Sequence, residues 1–177
     1  EKAQRVAAPY GARAFRDHRE LAGLVDFAAV AVPTEIHFDV ARDLLEAGAH
    51  VLVEKPMTST LEQAKELFRI ARQQNRVLHV GHVERLNGAV QELRKIVERP
   101  ILIESRRLGP FVPRVQTDSV VMDLMIHDID IVLNLVEGEP RKITAVGSSV
   151  QSRVTDVANV QIVFDDAKGM RHYDDPL

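Results

Sequence analysis

The chain has 177 residues, 45% of them hydrophobic, enough for one packed domain or two small ones. A formal net charge of −3, with no cluster of lysines or arginines, gives no basic field for nucleic acid. The absence of cysteine excludes disulfides, thiolate nucleophiles and Cys-ligated metals, and no apolar run reaches the length of a membrane span. This composition suits a reducing compartment, and a cytoplasmic protein is expected.

Residues 1–8 read as helix from the start, with no cap before them, so the sequence is expected to open inside an element. Gly11 is placed to close that helix, residues 12–15 to form a short strand, and Asp17 to open a second helix through Leu21. The run Phe-Ala-Ala-Val-Ala-Val at 27–32 has the pattern of a strand buried on both faces of a parallel sheet, ending at Pro33-Thr34. Ile36, Val40, Leu44 and Ala47 then recur at helical spacing, Gly48 closes the helix, and a strand at 50–53 completes a βαβ crossover. Thr58, Ser59 and Thr60 offer caps for a helix in which Leu61, Ala64, Phe68 and Ala71 share a face, and residues 77–80 make the next strand, ending at Gly81. Alternation with short connections predicts a doubly wound parallel sheet over 1–82.

The pattern changes after Gly81. A helix over 86–98 carries Leu86, Val90, Leu93 and Val97, and Pro100 starts a strand at 101–108, followed by a turn-rich loop at 109–113. Thr117 or Asp118 can cap a long helix through 136, stopped by Gly138 and Pro140. Strands at 142–149 and 157–164 alternate apolar and polar residues, as for a sheet with one wet face. The expected fold is α/β, with a partial Rossmann-type parallel-sheet domain over 1–82 and a partial α+β sheet domain over 83–177.

Two stretches carry the chemistry. Val51, Leu52 and Val53 run directly into Glu54-Lys55-Pro56, an ending that gives up packing and a backbone donor. Ligands of open α/β sheets sit outside the carboxyl ends of the strands, which makes Lys55 the first candidate for catalysis. Asp123 and His127 stand four apart in the long helix, where a carboxylate can hold an imidazole in one tautomer for use as a general base. The alternative is a capped helix whose charges sit in water. His79 with His82, and His127 with Asp128 and Asp130, have no evident third ligand or shared direction, so no metal site is expected. Arg85, Arg106, Arg107 and Arg114 are the cations available to a substrate phosphate, and each has the alternative of solvation or ion pairing.

Val-Pro-Thr-x-x-His at 32–37, Glu-Lys-Pro at 54–56, Val-Gly-His at 80–82 followed by Arg85, and Asp-x-x-x-His at 123–127 stand in the order seen in Gfo/Idh/MocA-type oxidoreductases. The resemblance covers nearly all of residues 1–165. It implies an N-terminal Rossmann domain for NAD or NADP, a C-terminal domain whose sheet shapes the substrate pocket and often mediates homo-oligomers, and oxidation of a secondary alcohol of a sugar, sugar nucleotide or polyol. It further implies that Lys55 lies beside the nicotinamide and the substrate hydroxyl, that His127 accepts the proton, and that Asp123 orients it or binds substrate. Pro33, Thr34, His37 and Glu54 fall where the family lines nicotinamide and ribose, and His82 and Arg85 are the substrate-side candidates. Within the family, residues 80–87 and 122–130 resemble the branch acting on the 3-hydroxyl of UDP-N-acetylglucosamine, with Gly88 where proline is expected. Inositol or another polyol is the competing substrate.

No Gly-x-Gly-x-x-Gly occurs in these residues, so the sequence is expected to be truncated at both ends and to bind NAD poorly as it stands. A reading of another class follows from this: a non-catalytic interaction module.

Overall fold

The computed structural model describes residues 1–110 and 119–165. Arg114, the expected caps Thr117 and Asp118, and the 111–113 part of the expected loop lie outside them. The chain divides into two compact units, Glu1–His82 and Val83–Leu177.

In the first unit, helix α1 (Lys2–Ala7) ends in a 3-10 turn closed by Gly11, whose φ of 62° lies in the left-handed region that glycine enters without strain. The strand expected at 12–15 is absent, because among the described residues no neighbouring strand pairs with it. Asp17 does open a helical segment, but it is a 3-10 turn, His18–Leu21, held by a capping box in which the Asp17 carboxylate accepts the Arg19 N–H and Glu20 reaches back to the Asp17 N–H. Strands β1 (Phe27–Val30), β2 (His50–Glu54) and β3 (Leu78–Gly81) form a parallel sheet with β2 in the centre. The two crossovers are helix α2 (His37–Glu46) and helix α3 (Leu61–Gln73).

The core lies on one face of this sheet. Val30, Val51 and Val53 point into it, meeting Val40, Ala41, Leu44 and Leu45 of α2 and Leu67, Ile70 and Ala71 of α3. Burial on both faces, expected for residues 27–32, is not found: Phe27 is 58% exposed, and the strand stops at Val30. β1 lies at the sheet edge, and both helices cover the same face. The helix faces also differ from the expected ones. In α2 the buried stripe is His37, Val40, Ala41, Leu44 and Leu45, leaving Ile36 and Ala47 outside; in α3 it is Leu67, Ile70 and Ala71, leaving Leu61 and Phe68 in solvent. Apolar spacing identifies both helices, but the strand they dock on selects which stripe is buried. α3 starts where the Thr60 hydroxyl accepts the Gln63 N–H at 3.2 Å, with Glu62 in its first turn near the positive end of the dipole.

In the second unit, a 3-10 turn (Val83–Leu86) leads into helix α4 (Gly88–Ile96), capped by the Asn87 side chain. Residues 101–108 are not a strand, since nothing among the described residues pairs with them, and Ile101, Leu102 and Leu108 are exposed. A π-helical turn, Val121–Met125, runs into helix α5 (Ile126–Leu135). The final strands, β4 (Pro140–Ser148) and β5 (Val157–Phe164), pair antiparallel. β5 alternates between exposed and half-buried positions, as expected for one wet face, whereas β4 is exposed throughout. Among the described residues, no helix is long and apolar enough to cross a membrane.

Leu67 has no solvent exposure and joins α3 to the core. Leu67→Ala should lower stability by about 2–5 kcal/mol in a denaturant titration; a loss below about 1 kcal/mol would mean that the core collapses around the missing side chain.

Candidate functional site

The carboxyl ends of the three parallel strands form one edge, and the chain places its unusual residues there. Glu54, the last residue of β2, is in register with Gly81, the last of β3. Paired residues of a parallel ladder share a face, and the missing side chain of Gly81 leaves room for the Glu54 carboxyl group. A Cβ on Gly81 would stand 3.2 Å from the Glu54 carboxyl carbon. Glu54 Oε2 also accepts the main-chain N–H of Lys55 at 3.3 Å. Half-buried Lys55 is followed by a cis peptide to Pro56, and the turn is closed by the buried Thr58, whose hydroxyl donates to the Thr60 carbonyl at 2.8 Å.

His37 opens α2 and is 2% exposed. Its Nδ1 lies 2.9 Å from the Pro56 carbonyl oxygen and its Nε2 2.8 Å from that of Val32. The resemblance implies a cofactor-lining place for this ring, but both ring nitrogens are engaged by main-chain oxygens. Val32 leads into exposed Pro33 and half-buried Thr34, which begins a 3-10 turn (Thr34–Ile36) ahead of α2. The first unit thus brings Pro33, Thr34, His37, Glu54, Lys55 and Gly81 to the ends of adjacent strands, with half-buried His82 directly after β3.

The other candidates belong to the second unit. Arg85 donates from Nε to both carboxylate oxygens of Asp130, at 2.9 and 3.2 Å, and Asp130 is 6% exposed. Arg85, the substrate-side candidate, thus holds an ion pair with a buried carboxylate. Arg107 is engaged in the same way: its Nε donates to Asp128 at 2.9 Å, and its Nη1 lies 3.7 Å from Glu84. Ser105 also donates to Asp128, at 2.9 Å. Burial pushes the Asp128 carboxyl group up, but the hydrogen bonds from Arg107 and Ser105, with the charges of Arg107 and His127, together hold it below the ordinary value. Arg106 pairs with Glu104.

Asp123 and His127 are both half-buried and lie on one continuous helical segment, Asp123 in the π turn and His127 in the first turn of α5. Their spacing implies one α-helical turn, but π turns close i→i+5 bonds, so four residues there fall short of a full turn. Among the described residues, no three His, Asp or Glu side chains gather as a metal site. Gly81, the two-carbonyl grip of His37 and the burial of Asp130 were not readable as site features from spacing alone. For Asp130 a signal exists: an acid between Ile129 and Ile131 in an apolar helix calls for a buried cationic partner.

Gly81→Ala should push the Glu54 carboxylate aside and shift the Lys55 amide resonance; an unmoved resonance would show slack in the contact. For Asp128, an NMR titration should give a midpoint below the ordinary carboxylate range, rising in Arg107→Gln. A depressed folded value means that the Asp128 contribution to stability is complete above the ordinary range and fades as pH falls through the depressed value. A midpoint that Arg107→Gln leaves unmoved would remove Arg107 as the cause.

Residues 1–82 match an oxidoreductase family with an NAD-binding Rossmann fold, and residues 88–173 match the GFO/IDH/MocA C-terminal domain. UDP-N-acetylglucosamine 3-dehydrogenase of Acidithiobacillus ferrooxidans is 40% identical over 159 residues, which are 89% of this chain and 51% of that protein. The solved structure of that enzyme, GnnA, superposes with a TM-score of 0.86 at 38% identity, over 93% of this chain and 56% of the other. An NAD-binding protein from Listeria innocua shares the fold, with a TM-score of 0.73 at 23% identity over 92% of this chain and 52% of that one. The chain spans about half the length of the curated relatives it matches. With matched domains in this order on either side of residue 82, the chain belongs to the Gfo/Idh/MocA family.

Proposed function

We propose that the chain is part of an NAD(P)-dependent dehydrogenase that oxidises a secondary alcohol of a sugar nucleotide, the 3-hydroxyl of UDP-N-acetylglucosamine being the first candidate. The observation that carries the reading is the strand-end cluster, with Lys55 at the carboxyl end of the central parallel strand and held between Glu54 and Pro56. The substrate choice rests on the A. ferrooxidans relative, whose name gives that reaction.

The residues present suit the nicotinamide end of a dinucleotide. Pro33, Thr34, Glu54 and Lys55 stand where open α/β sheets take their ligands, while the Gly-rich phosphate turn is not among these 177 residues. A nicotinamide held there would supply the hydride acceptor for the carbinol carbon. As that carbon loses hydride, its hydroxyl proton must leave, and a base within hydrogen-bond reach lowers the barrier. His127 takes that proton, Asp123 orients the ring or binds a neighbouring hydroxyl, and Lys55 donates a hydrogen bond to the reacting oxygen. Glu54 keeps the Lys55 backbone in register through the accepted N–H. Arg85 and Arg107, engaged by Asp130 and Asp128, act as braces of the second unit.

Association into oligomers belongs to the same proposal. β4 is exposed along its whole length, and Ile143, Val146 and Val157 stand in solvent, which supports a partner surface on this sheet.

The experiment is nicotinamide reduction by the protein expressed from its complete coding sequence, offered UDP-N-acetylglucosamine, inositol and glucose in turn. Turnover with the sugar nucleotide should fall about 10²–10⁴-fold in Lys55→Ala and in His127→Ala. Full activity in either variant would remove that residue from the mechanism, and turnover of inositol alone would move the substrate to a polyol.

A further inference from the structure

We propose that His37 is a positioning residue which fixes the gap between the turn after β1 and the turn after β2, and through it the placement of Lys55. The inference rests on the dehydrogenase reading for its kinetic consequence. Its geometry stands on the first unit alone.

The ring of His37 bridges two main-chain oxygens from separate turns, Pro56 at 2.9 Å and Val32 at 2.8 Å. Each of those residues adjoins a candidate site residue, Lys55 in one turn and Pro33 in the other. The ring itself is anchored, because it starts a helix whose Val40, Ala41, Leu44 and Leu45 are packed in the core. A side chain on a rigid helix that holds both turns by their backbones transmits the position of the core to the strand-end edge. Lys55 is then fixed from two directions, by the Glu54 carboxylate at its own N–H and by His37 at the next carbonyl.

A buried histidine that only satisfies its own polar atoms is the competing explanation. The two differ in what they require of the acceptors. A ring that needed only to be satisfied would be served by any partners, whereas these join the two turns that carry the site. Both acceptors are carbonyl oxygens, so each bond needs an N–H from the ring; a doubly protonated ring makes both, and a neutral tautomer donates to one. Phenylalanine keeps the ring shape and removes both donors, while glutamine keeps an amide donor for one carbonyl.

The test compares wild type, His37→Phe and His37→Gln in the protein expressed from its complete coding sequence, at a temperature where melting curves show all three folded. Lys55 reactivity toward an acylating reagent is read by mass spectrometry against exposed Lys65 of α3 as internal standard, alongside kcat and KM. Expected in His37→Phe are a changed Lys55-to-Lys65 labelling ratio and a kcat lowered about 10- to 100-fold with the sugar-nucleotide KM little changed, since small misplacements act on the chemical step. His37→Gln should recover part of both. A normal labelling ratio and normal kcat in His37→Phe, with only the melting temperature lowered, would overturn the proposal and leave His37 a packing residue. Should wild type reduce no nicotinamide with any sugar, the dehydrogenase reading fails, and the labelling ratio alone decides whether His37 positions Lys55.

Discussion

Everything in the first unit depends on the central position of β2. Its two parallel ladders satisfy the strand backbone on both sides, so Val51 and Val53 can be buried at 1% and 0% exposure without stranding polar groups. The same pairing carries the strand out of the core at Glu54 and sets that residue beside Gly81. A charged dipeptide at this point would be a packing loss in a strand that merely filled the sheet. Here it is held rigidly at the carboxyl end of a parallel strand, where open α/β sheets take their ligands.

Around that strand the polar interactions divide into two kinds. One kind binds backbone: Glu54 to the Lys55 N–H, His37 to two carbonyls, Thr58 to the Thr60 carbonyl, and His50, whose Nδ1 accepts the Val77 N–H at the start of β3. These fix the strand ends through their backbones. The other kind pairs charges in the second unit, Arg85 with Asp130 and Arg107 with Asp128, and these hold the turn after His82 and the segment near Ser105 onto α5. Arg85 and Arg107, two of the arginines that looked available for a phosphate, are thus engaged in tying the unit together. A bidentate pair on a carboxylate as buried as Asp130 is costly to break, because the remaining charge would keep its burial.

A π turn at Val121–Met125 precedes α5, and it falls on Asp123. Its start is fixed from two sides: the Val120 N–H donates to the Thr155 carbonyl at 2.8 Å, and the Asp123 N–H to that of Ser119 at 2.9 Å. Such turns re-aim the residues they contain relative to the following α-helix. The relation of Asp123 to His127 is therefore a product of backbone hydrogen bonding, and their four-residue spacing describes it only loosely.

The sequence by itself determined the α/β class, the order of strands and helices from Phe27 through Gly81, the closure after α1 at Gly11, the cap at Thr60 and the two C-terminal strands. Each rests on local physics: apolar periodicity, a left-handed glycine, or a hydroxyl preceding a helix. The order of its motifs also named the family. What tertiary structure alone decided was pairing and facing. Residues 12–15 and 101–108 have strand composition but no partner among the described residues, and a strand is defined by its neighbour. The stripe of α3 that is buried, Leu67 with Ile70 and Ala71, was chosen by the sheet beneath it, since several stripes of that helix are apolar enough to serve. At the site, Lys55 was legible because a charged strand end is anomalous within one segment. The contacts of His37, Gly81, Arg85 and Asp130 were not, because each is defined by an atom 19 to 45 residues away or by the space a neighbour leaves.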